Sequence, residues 1–267
     1  MKLSFIGCGN MGGAILDGIL SSHLVNKEDI SVCVSREESA LRIKKEKGVY
    51  TTLDAKDAVK DCDIVILAVK PFKFDEVIPF IKEDCKDKLI ISVAAGVTIA
   101  KIKEMMECDT LHVVRTMPNT PACVQEALSS VTFNEYVSEE EKAITRAIFT
   151  SFGKIVEVEE DMIHTVICMS GSSPAYVFML LTAMVEFGEK HGLSREMAMD
   201  MAGQAVLGSA KMLLETHNDP DVMKKNVCSP KGTTIEAVLS FEKDGFYEMI
   251  DKAMQACYNR SVEMSKE

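Results

Sequence analysis

With 267 residues the chain is long enough to bury a substantial core in one large domain or two modest ones, and a change of composition near residue 161 favours two. A formal net charge of −11 argues against nucleic acid and against an anionic membrane as partners, because both reward clustered Lys and Arg. Nine cysteines, scattered with no C-x-x-C pair and no neighbouring His group, offer neither a metal site nor a disulfide framework and point to a reduced, cytoplasmic protein. The sequence opens directly on a strand without a basic leader. Its most apolar run, Ala175 to Val185, is shorter than a bilayer requires, so no targeting or membrane-spanning segment is expected.

Lys2 to Leu20 (KLSFIGCGNMGGAILDGIL) sets a buried strand, a glycine-rich turn and a helix start in succession. Leu3, Phe5 and Ile6 form an apolar run free of charge, which suits a central parallel strand covered on both faces. Gly7, Gly9 and Gly12 follow in G-x-G-x-x-G spacing. The first glycine permits the tight turn, the second lets backbone approach a pyrophosphate, and the third lets helix and strand pack closely. The phosphate would rest on the helix N-terminus, whose unpaired N–H groups and positive dipole end need no basic side chain. The alternative is an ordinary strand-to-helix turn.

Ile30 to Val34 reads as the second strand, and the residues after it bear on the choice of dinucleotide. NAD sites place an acidic residue here to bond the ribose hydroxyls, whereas an Arg accommodates a 2′-phosphate. This chain has Ser35 and Arg36, which points to NADP, with NADPH preferred over NADH. The competing reading makes Arg36 a solvated loop residue, with Glu37 or Glu38 reaching the ribose. Asp63 to Val69 is a nearly continuous aliphatic strand stopped by Lys70 and Pro71. Leu89 to Val93 precedes Ala94, Ala95 and Gly96, and Leu111 to Val114 precedes Arg115, Met117, Pro118, Asn119 and Thr120. Helical stretches separate these strands, and such alternation makes an α/β, doubly wound parallel sheet that binds ligands beyond the carboxyl ends of its strands. Ala68, Val69, Lys70 and Pro71, then Ala95 and Gly96, then Pro118 and Asn119 are therefore candidate walls of a cofactor site. Pro and Asn are equally what any tight turn would choose. Val131 to Phe133, a helix from Glu139 to Phe152 capped by Ser138, and a strand at Lys154 to Glu157 close a dinucleotide-binding domain over residues 1–161.

From residue 162 to 267 the strand signal almost vanishes, Met becomes frequent and apolar residues recur at helical spacing, which predicts an all-helical domain. Ala175 to His191 is apolar nearly all round and ends at Gly192, and Ser194 caps a second long helix reaching about Glu215. Helices apolar on every face need cover on every face, which roughly 100 residues cannot readily supply alone, so an obligate oligomer with interleaved helices is expected. The Met-rich stripe reads as core. Ser170 to Pro174 (SGSSP) introduces the first long helix, with Ser172 or Ser173 as cap and Pro174 at its first position. Ser229 to Thr234 (SPKGTT) sets several hydroxyls and free N–H groups at another helix start, more than a plain cap needs, and so suggests an anion site.

FIGCGNMGGAI, LAVKP, VAAGVTI, RTMPNTPA, GSSPAYVF and CSPKGTTIEAV occur in the order and approximate spacing of the pyrroline-5-carboxylate reductases, and over its whole length the chain resembles that family. The resemblance implies reduction of the cyclic imine 1-pyrroline-5-carboxylate to L-proline. It implies a Rossmann domain that takes NADPH or NADH on Gly7, Cys8, Gly9, Asn10, Met11 and Gly12. It also implies a helical domain that forms a homodimer or a higher assembly of dimers, with the active site where domains and subunits meet. Thr234 would hydrogen bond the ring nitrogen, with Ser229 and the backbone N–H groups of Gly232 and Thr233 on the carboxylate. The family's signature loop usually has Gly-Gly where this chain has Lys231 and Gly232. Lys231 is then either strained, if the position needs positive φ, or a new side chain beside an anionic substrate. Imine reduction asks little acid or base chemistry of the protein, so His164 reads as a core or capping residue before a proton donor, and Cys228 as packing. Two other functions stay open: a catalytically silent NADP(H) sensor, whose only support is Lys231, and a reductase of a related imine.

Overall fold

The computed structural model describes residues 1–266. The chain divides into two compact units, one of Met1–Ser172 with the C-terminal stretch from Cys257, the other of Ser173–Ala256. Compactness thus places the division at Ser172, eleven residues beyond the composition change at 161, and returns the end of the chain to the first unit.

The first unit alternates strand and helix: β1 (Leu3–Ile6), α1 (Asn10–Ser21), β2 (Ile30–Cys33), α2 (Glu37–Lys47), β3 (Tyr50–Thr52), α3 (Ala55–Val59) and β4 (Ile64–Leu67). It continues through α4 (Phe74–Ile81), β5 (Leu89–Ser92), α5 (Ile99–Met106), β6 (His112–Met117), β7 (Ala127–Phe133), α6 (Glu139–Thr150) and β8 (Gly153–Glu157). The eight strands form one sheet in the order β3-β2-β1-β4-β5-β6-β7-β8. The chain moves outward from β1 through β2 to β3, then crosses back to β4 on the other side of β1, so the switch in strand order lies between β1 and β4. All pairs are parallel except β6 with β7, whose Val114 faces Phe133 in antiparallel register. That reversal marks the closing elements as an addition to the parallel array. β3 escapes the sequence pattern because it is three residues long and polar, with Tyr50 exposed at the sheet edge.

Successive strand residues point to opposite faces, and both faces are apolar here. Leu3, Phe5, Ile64, Ile66, Leu89 and Ile91 pack with Ile15, Leu16, Ile19 and Phe149 on one side. Ile6, Val65, Leu67 and Ile90 pack with Phe74, Ile78, Ile81 and Ile102 on the other. This two-sided cover is why the strands read as continuous hydrophobic runs. α6 begins on the expected cap: Ser138 accepts from the Glu141 N–H while Glu141 Oε2 accepts from the Ser138 N–H, a closed capping box.

Beyond β8 the chain is helical: α7 (Ile163–Val166), a π turn at Ile167–Gly171, α8 (Ser173–Lys190), α9 (Arg195–Thr216), α10 (Pro220–Val227), α11 (Thr233–Lys243) and α12 (Phe246–Met264). Gly192 has φ +92 just past α8, and the Ser194 side chain accepts from the Met197 N–H at the start of α9. Ser172 differs from expectation. It does not open a new helix in an extended cap conformation, but lies in the right-handed region at φ −98, ψ −22, carrying the π turn into α8. The helical stretch Glu160–Lys190 therefore runs 31 residues and is, by length and composition, long and apolar enough to cross a membrane. The shorter apolar run seen in the sequence understates it. In the second unit Val185, Ala198 and Ala202 are buried with Leu181 and Leu193 packed against them. Phe178, Met179, Phe187, Met201 and Leu207 stand exposed in the single chain.

Candidate active site

The three glycines after β1 have separate physical duties. Gly7 sits at φ +91, its N–H donates to the Cys33 carbonyl at 2.8 Å, and a Cβ there would lie 2.7 Å from Val69 Cγ1 and 2.8 Å from the Ala68 carbonyl oxygen. A Cβ on Gly12 would lie 2.9 Å from the Gly7 carbonyl oxygen and 3.1 Å from Ala68 Cβ. These two glycines bring α1 against the ends of β1 and β4, at the switch point. Gly9 has nothing within 4 Å of a built Cβ. It is the N-cap of α1 and leaves the helix with no side-chain cap. First-turn N–H groups lack intrahelical acceptors, so those of Asn10 and Met11, beside the half-buried Cys8, form an anion cradle that side chains do not fill. Burial pushes the Cys8 thiol up to about 11, and it stays neutral beside that cradle.

The helix starts divide instructively. Asp54, Thr98, Ser138, Ser194 and Asp219 cap α3, α5, α6, α9 and α10 through side-chain hydrogen bonds. α4 and α7 lack a side-chain cap but continue directly from tight helical turns at Pro71–Lys73 and Glu160–Met162, whereas α1, α2 and α11 start from extended backbone at Gly9, Arg36 and Gly232 with none. Arg36 is exposed next to exposed Ser35 where β2 gives way to α2, and its guanidinium has no ion-pair partner among the described residues. The two positions expected to meet cofactor phosphates and the one expected to meet a carboxylate are thus helix starts left open.

The remaining strand ends sort into two groups. Ala68 and Val69 are half-buried beside the glycine turn, with exposed Lys70 and half-buried Pro71 beyond them. Gly96 turns at φ +82 after β5, next to half-buried Ala95, and packs against the last turn of α12, where a Cβ would lie 3.2 Å from Met264 Cβ. Pro118 and Asn119 are buried. The Asn119 amide is consumed internally, with Nδ2 donating to the Ser170 carbonyl and Oγ at 3.2 and 3.1 Å, and Oδ1 accepting from the Leu128 N–H at 3.0 Å. Its side chain clips the π turn to β7.

The signature loop resolves the question at Lys231. The Gly232 N–H donates to the Ser229 carbonyl at 3.0 Å, closing a turn with Pro230 second and Lys231 third. Lys231 has φ +61. A turn with Pro in second place and positive φ in third is type II, where Gly is normal, so Lys231 carries strain of about 1–3 kcal/mol. Thr234 is half-buried in the first turn of α11 with its hydroxyl unbonded among the described residues, and Ser229 and Thr233 are exposed.

Two clusters do structural duty. His164 Nδ1 lies 2.8 Å from Ser261 Oγ, its ring meets Tyr258 edge-on, and burial together with the nearby Arg115 guanidinium pushes its pKa down. It clasps α12. Arg115, buried on β6, donates to Glu160 at 2.8 Å, and the same Glu160 oxygen accepts from the Ile99 N–H at the start of α5. Periodicity could not find this pair, because its members are 45 residues apart; a lone charge closing an apolar strand is the only sequence trace. Among the described residues no cluster of His, Cys, Asp or Glu could hold a metal.

A sheet with an open glycine cradle at its switch point, followed by an all-helical unit, defines a nicotinamide-dependent oxidoreductase. The family models agree: "NADP oxidoreductase coenzyme F420-dependent" matches residues 2–96 and "pyrroline-5-carboxylate reductase dimerisation" matches residues 160–264. The pyrroline-5-carboxylate reductase of Escherichia coli is 41% identical over 99% of this chain and 98% of its own length. A solved pyrroline-5-carboxylate reductase from Coxiella burnetii superposes with a TM-score of 0.91 at 35% identity, covering 100% of this chain and 99% of that one. The Plasmodium falciparum pyrroline carboxylate reductase, solved with NADP bound, gives 0.91 at 30% identity over 99% and 98%. The chain belongs to the pyrroline-5-carboxylate reductase family.

Proposed function

We propose that this chain reduces 1-pyrroline-5-carboxylate to L-proline with NADPH as the preferred donor. The observation that carries the reading is the pair of uncapped helix starts on glycine, Gly9 before α1 and Gly232 before α11, one in each unit. When bound, the nicotinamide would supply a hydride to the carbon of the C=N bond, whose π electrons pass to the ring nitrogen, which takes up a proton from solvent. The N–H groups of α1 hold the pyrophosphate, with Ala68 to Pro71, Ala95 and Gly96 walling the site, and Arg36 meets the 2′-phosphate. On the second unit, Ser229 and the first-turn N–H group of Thr233 hold the substrate carboxylate; the Gly232 N–H, expected to join them, is spent on the Ser229 carbonyl and closes the turn instead. Thr234 donates its hydroxyl to the ring nitrogen, a bond that strengthens as the nitrogen gains electron density. The turn around Lys231 leaves Gly232 and Thr234 in place, so it gives no ground for a silent sensor. The exposed apolar side chains of α8 and α9 fall in the region matching the dimerisation model, and we assign them to a homodimer interface rather than to a membrane.

Thr234→Val keeps the side-chain shape and deletes the donor. A hydrogen bond of this kind left unmade costs about 1–3 kcal/mol, so kcat/KM for pyrroline-5-carboxylate falls roughly tenfold to a hundredfold while NADPH affinity holds. A lowered melting temperature with wild-type kinetics would instead make Thr234 a structural residue and remove it from the mechanism.

A further inference from the structure

Among the described residues five other than glycine adopt positive φ: His23, Glu107, Gln125, His217 and Lys231. Glu107, Gln125 and His217 are the C-caps of helical segments, where a left-handed residue terminates the helix, and His23 follows the last turn of α1. Lys231 is different. It stands two residues ahead of a helix, so helix termination does not explain its conformation, and the type II turn it occupies would be easier to form with glycine. The turn leaves Lys231 exposed, and its ammonium makes no hydrogen bond or ion pair among the described residues. In the same unit Lys211 pairs with Glu215, and Lys224 with Asp221 and Glu242, while Lys190, Lys225, Lys243 and Lys252 share the lack of a partner among the described residues; what sets Lys231 apart is its place on the positive-φ turn of the loop. An unpaired cation therefore sits in a strained position inside the loop that holds the substrate carboxylate, on a chain whose net charge of −11 otherwise repels anions.

We propose that Lys231 is a specificity-determining residue that draws carboxylate-bearing cyclic imines to the loop in preference to uncharged ones. The inference rests on the reading that Ser229 to Thr234 binds the carboxylate. An exposed charge acts through a solvated, screened field, so its effect falls on substrate capture, is modest, and fades with salt. The hydride step, which depends on the cofactor and Thr234, is left as it was. Carboxylate inhibitors feel the same attraction as the substrate.

Lys231→Gln keeps the side-chain length and the strained turn while removing the charge. Lys231→Gly removes both, and Lys231→Arg keeps both. Steady-state kinetics of the full-length variants, with pyrroline-5-carboxylate and with the uncharged 1-pyrroline at low and high ionic strength, separates charge from conformation. The expected result is a KM for the carboxylate raised about twofold to fivefold at low salt in Lys231→Gln and Lys231→Gly alike. The difference closes at high salt, Lys231→Arg stays near wild type, and kinetics with 1-pyrroline do not change. Lys231→Gly should also melt above Lys231→Gln, since glycine relieves the turn. A wild-type KM and salt dependence in Lys231→Gln would overturn the inference, as would an equal loss with both substrates. Thr234→Val, measured beside it, distinguishes the two failures. If Thr234→Val loses turnover and Lys231→Gln does not, only the role of Lys231 is lost; wild-type kinetics in both refutes the loop itself.

Discussion

Alanine at Gly7 and alanine at Gly9 are the same chemical change two residues apart, and the geometry sends their effects in opposite directions. At Gly7 the new Cβ meets Val69 at 2.7 Å and the Ala68 carbonyl at 2.8 Å, on a backbone at φ +91. The left-handed conformation costs an alanine about 1–2 kcal/mol and the crowding about 1–3 kcal/mol more. A loss of about 2–5 kcal/mol corresponds, at roughly 2–4 °C per kcal/mol in a chain of this size, to a melting temperature lowered by roughly 4–20 °C. At Gly9 the Cβ enters open space at φ −80, ψ −157, a conformation any residue adopts. The poorer N-cap and the lower entropy of the unfolded chain then nearly cancel, to within about 1 kcal/mol. The added methyl instead occupies the ground where the pyrophosphate approaches the backbone. Losing one charge-assisted hydrogen bond there, about 1.5–3 kcal/mol, weakens NADPH binding about tenfold to a hundredfold. Thermal unfolding without cofactor and fluorescence titration with NADPH, run on both variants, read the two effects separately. Wild-type NADPH affinity in Gly9→Ala would refute the assignment of this turn as the cofactor cradle.

Further outcomes follow from the same geometry. Arg36→Ala should reduce the preference for NADPH over NADH in kcat/KM by about tenfold to a hundredfold, because a charged hydrogen bond to phosphate is lost; an unchanged ratio removes Arg36 from the site. Burial, then Arg115, holds the pKa of His164 below its ordinary 6.5, so the folded state prefers the neutral ring. The unfolded chain then binds the extra proton first, and stability is full above about pH 6.5 and falls as the pH drops below it. Urea unfolding at a series of pH values should show that fall in the wild type and a shallower one in His164→Asn. Sedimentation at low micromolar concentration should find a dimer or larger, since the apolar faces of α8 and α9 need cover; a well-folded active monomer would contradict this.

The fold was legible wherever two-sided burial wrote itself into the chain. Ile64 to Leu67 and Leu89 to Ser92 are covered on both faces and appear as unbroken aliphatic runs. Tyr50–Thr52 is an edge strand with little to bury, and it left no pattern. The glycine spacing foretold a tight turn at Gly7 and close helix–strand packing at Gly12, and the backbone and Cβ distances at those two positions show both. Asn119 shows the limit of such reading. Its place in a loop after a strand fits a cofactor contact and a turn equally, and its three internal bonds, two of them to Ser170, join segments too far apart in sequence to be foreseen. Lys231 was visible as a departure from glycine, but its strain became evident only with the backbone at φ +61.

Transfer of label from cofactor to product tests the central claim most directly. NADPH carrying deuterium at the transferring position of its nicotinamide, incubated with the enzyme and pyrroline-5-carboxylate, should be consumed in equal amount to the proline formed. Each proline should carry one deuterium, on the ring carbon that began as the imine carbon. NADPH bound but not consumed, or consumed without labelled proline, would contradict the account.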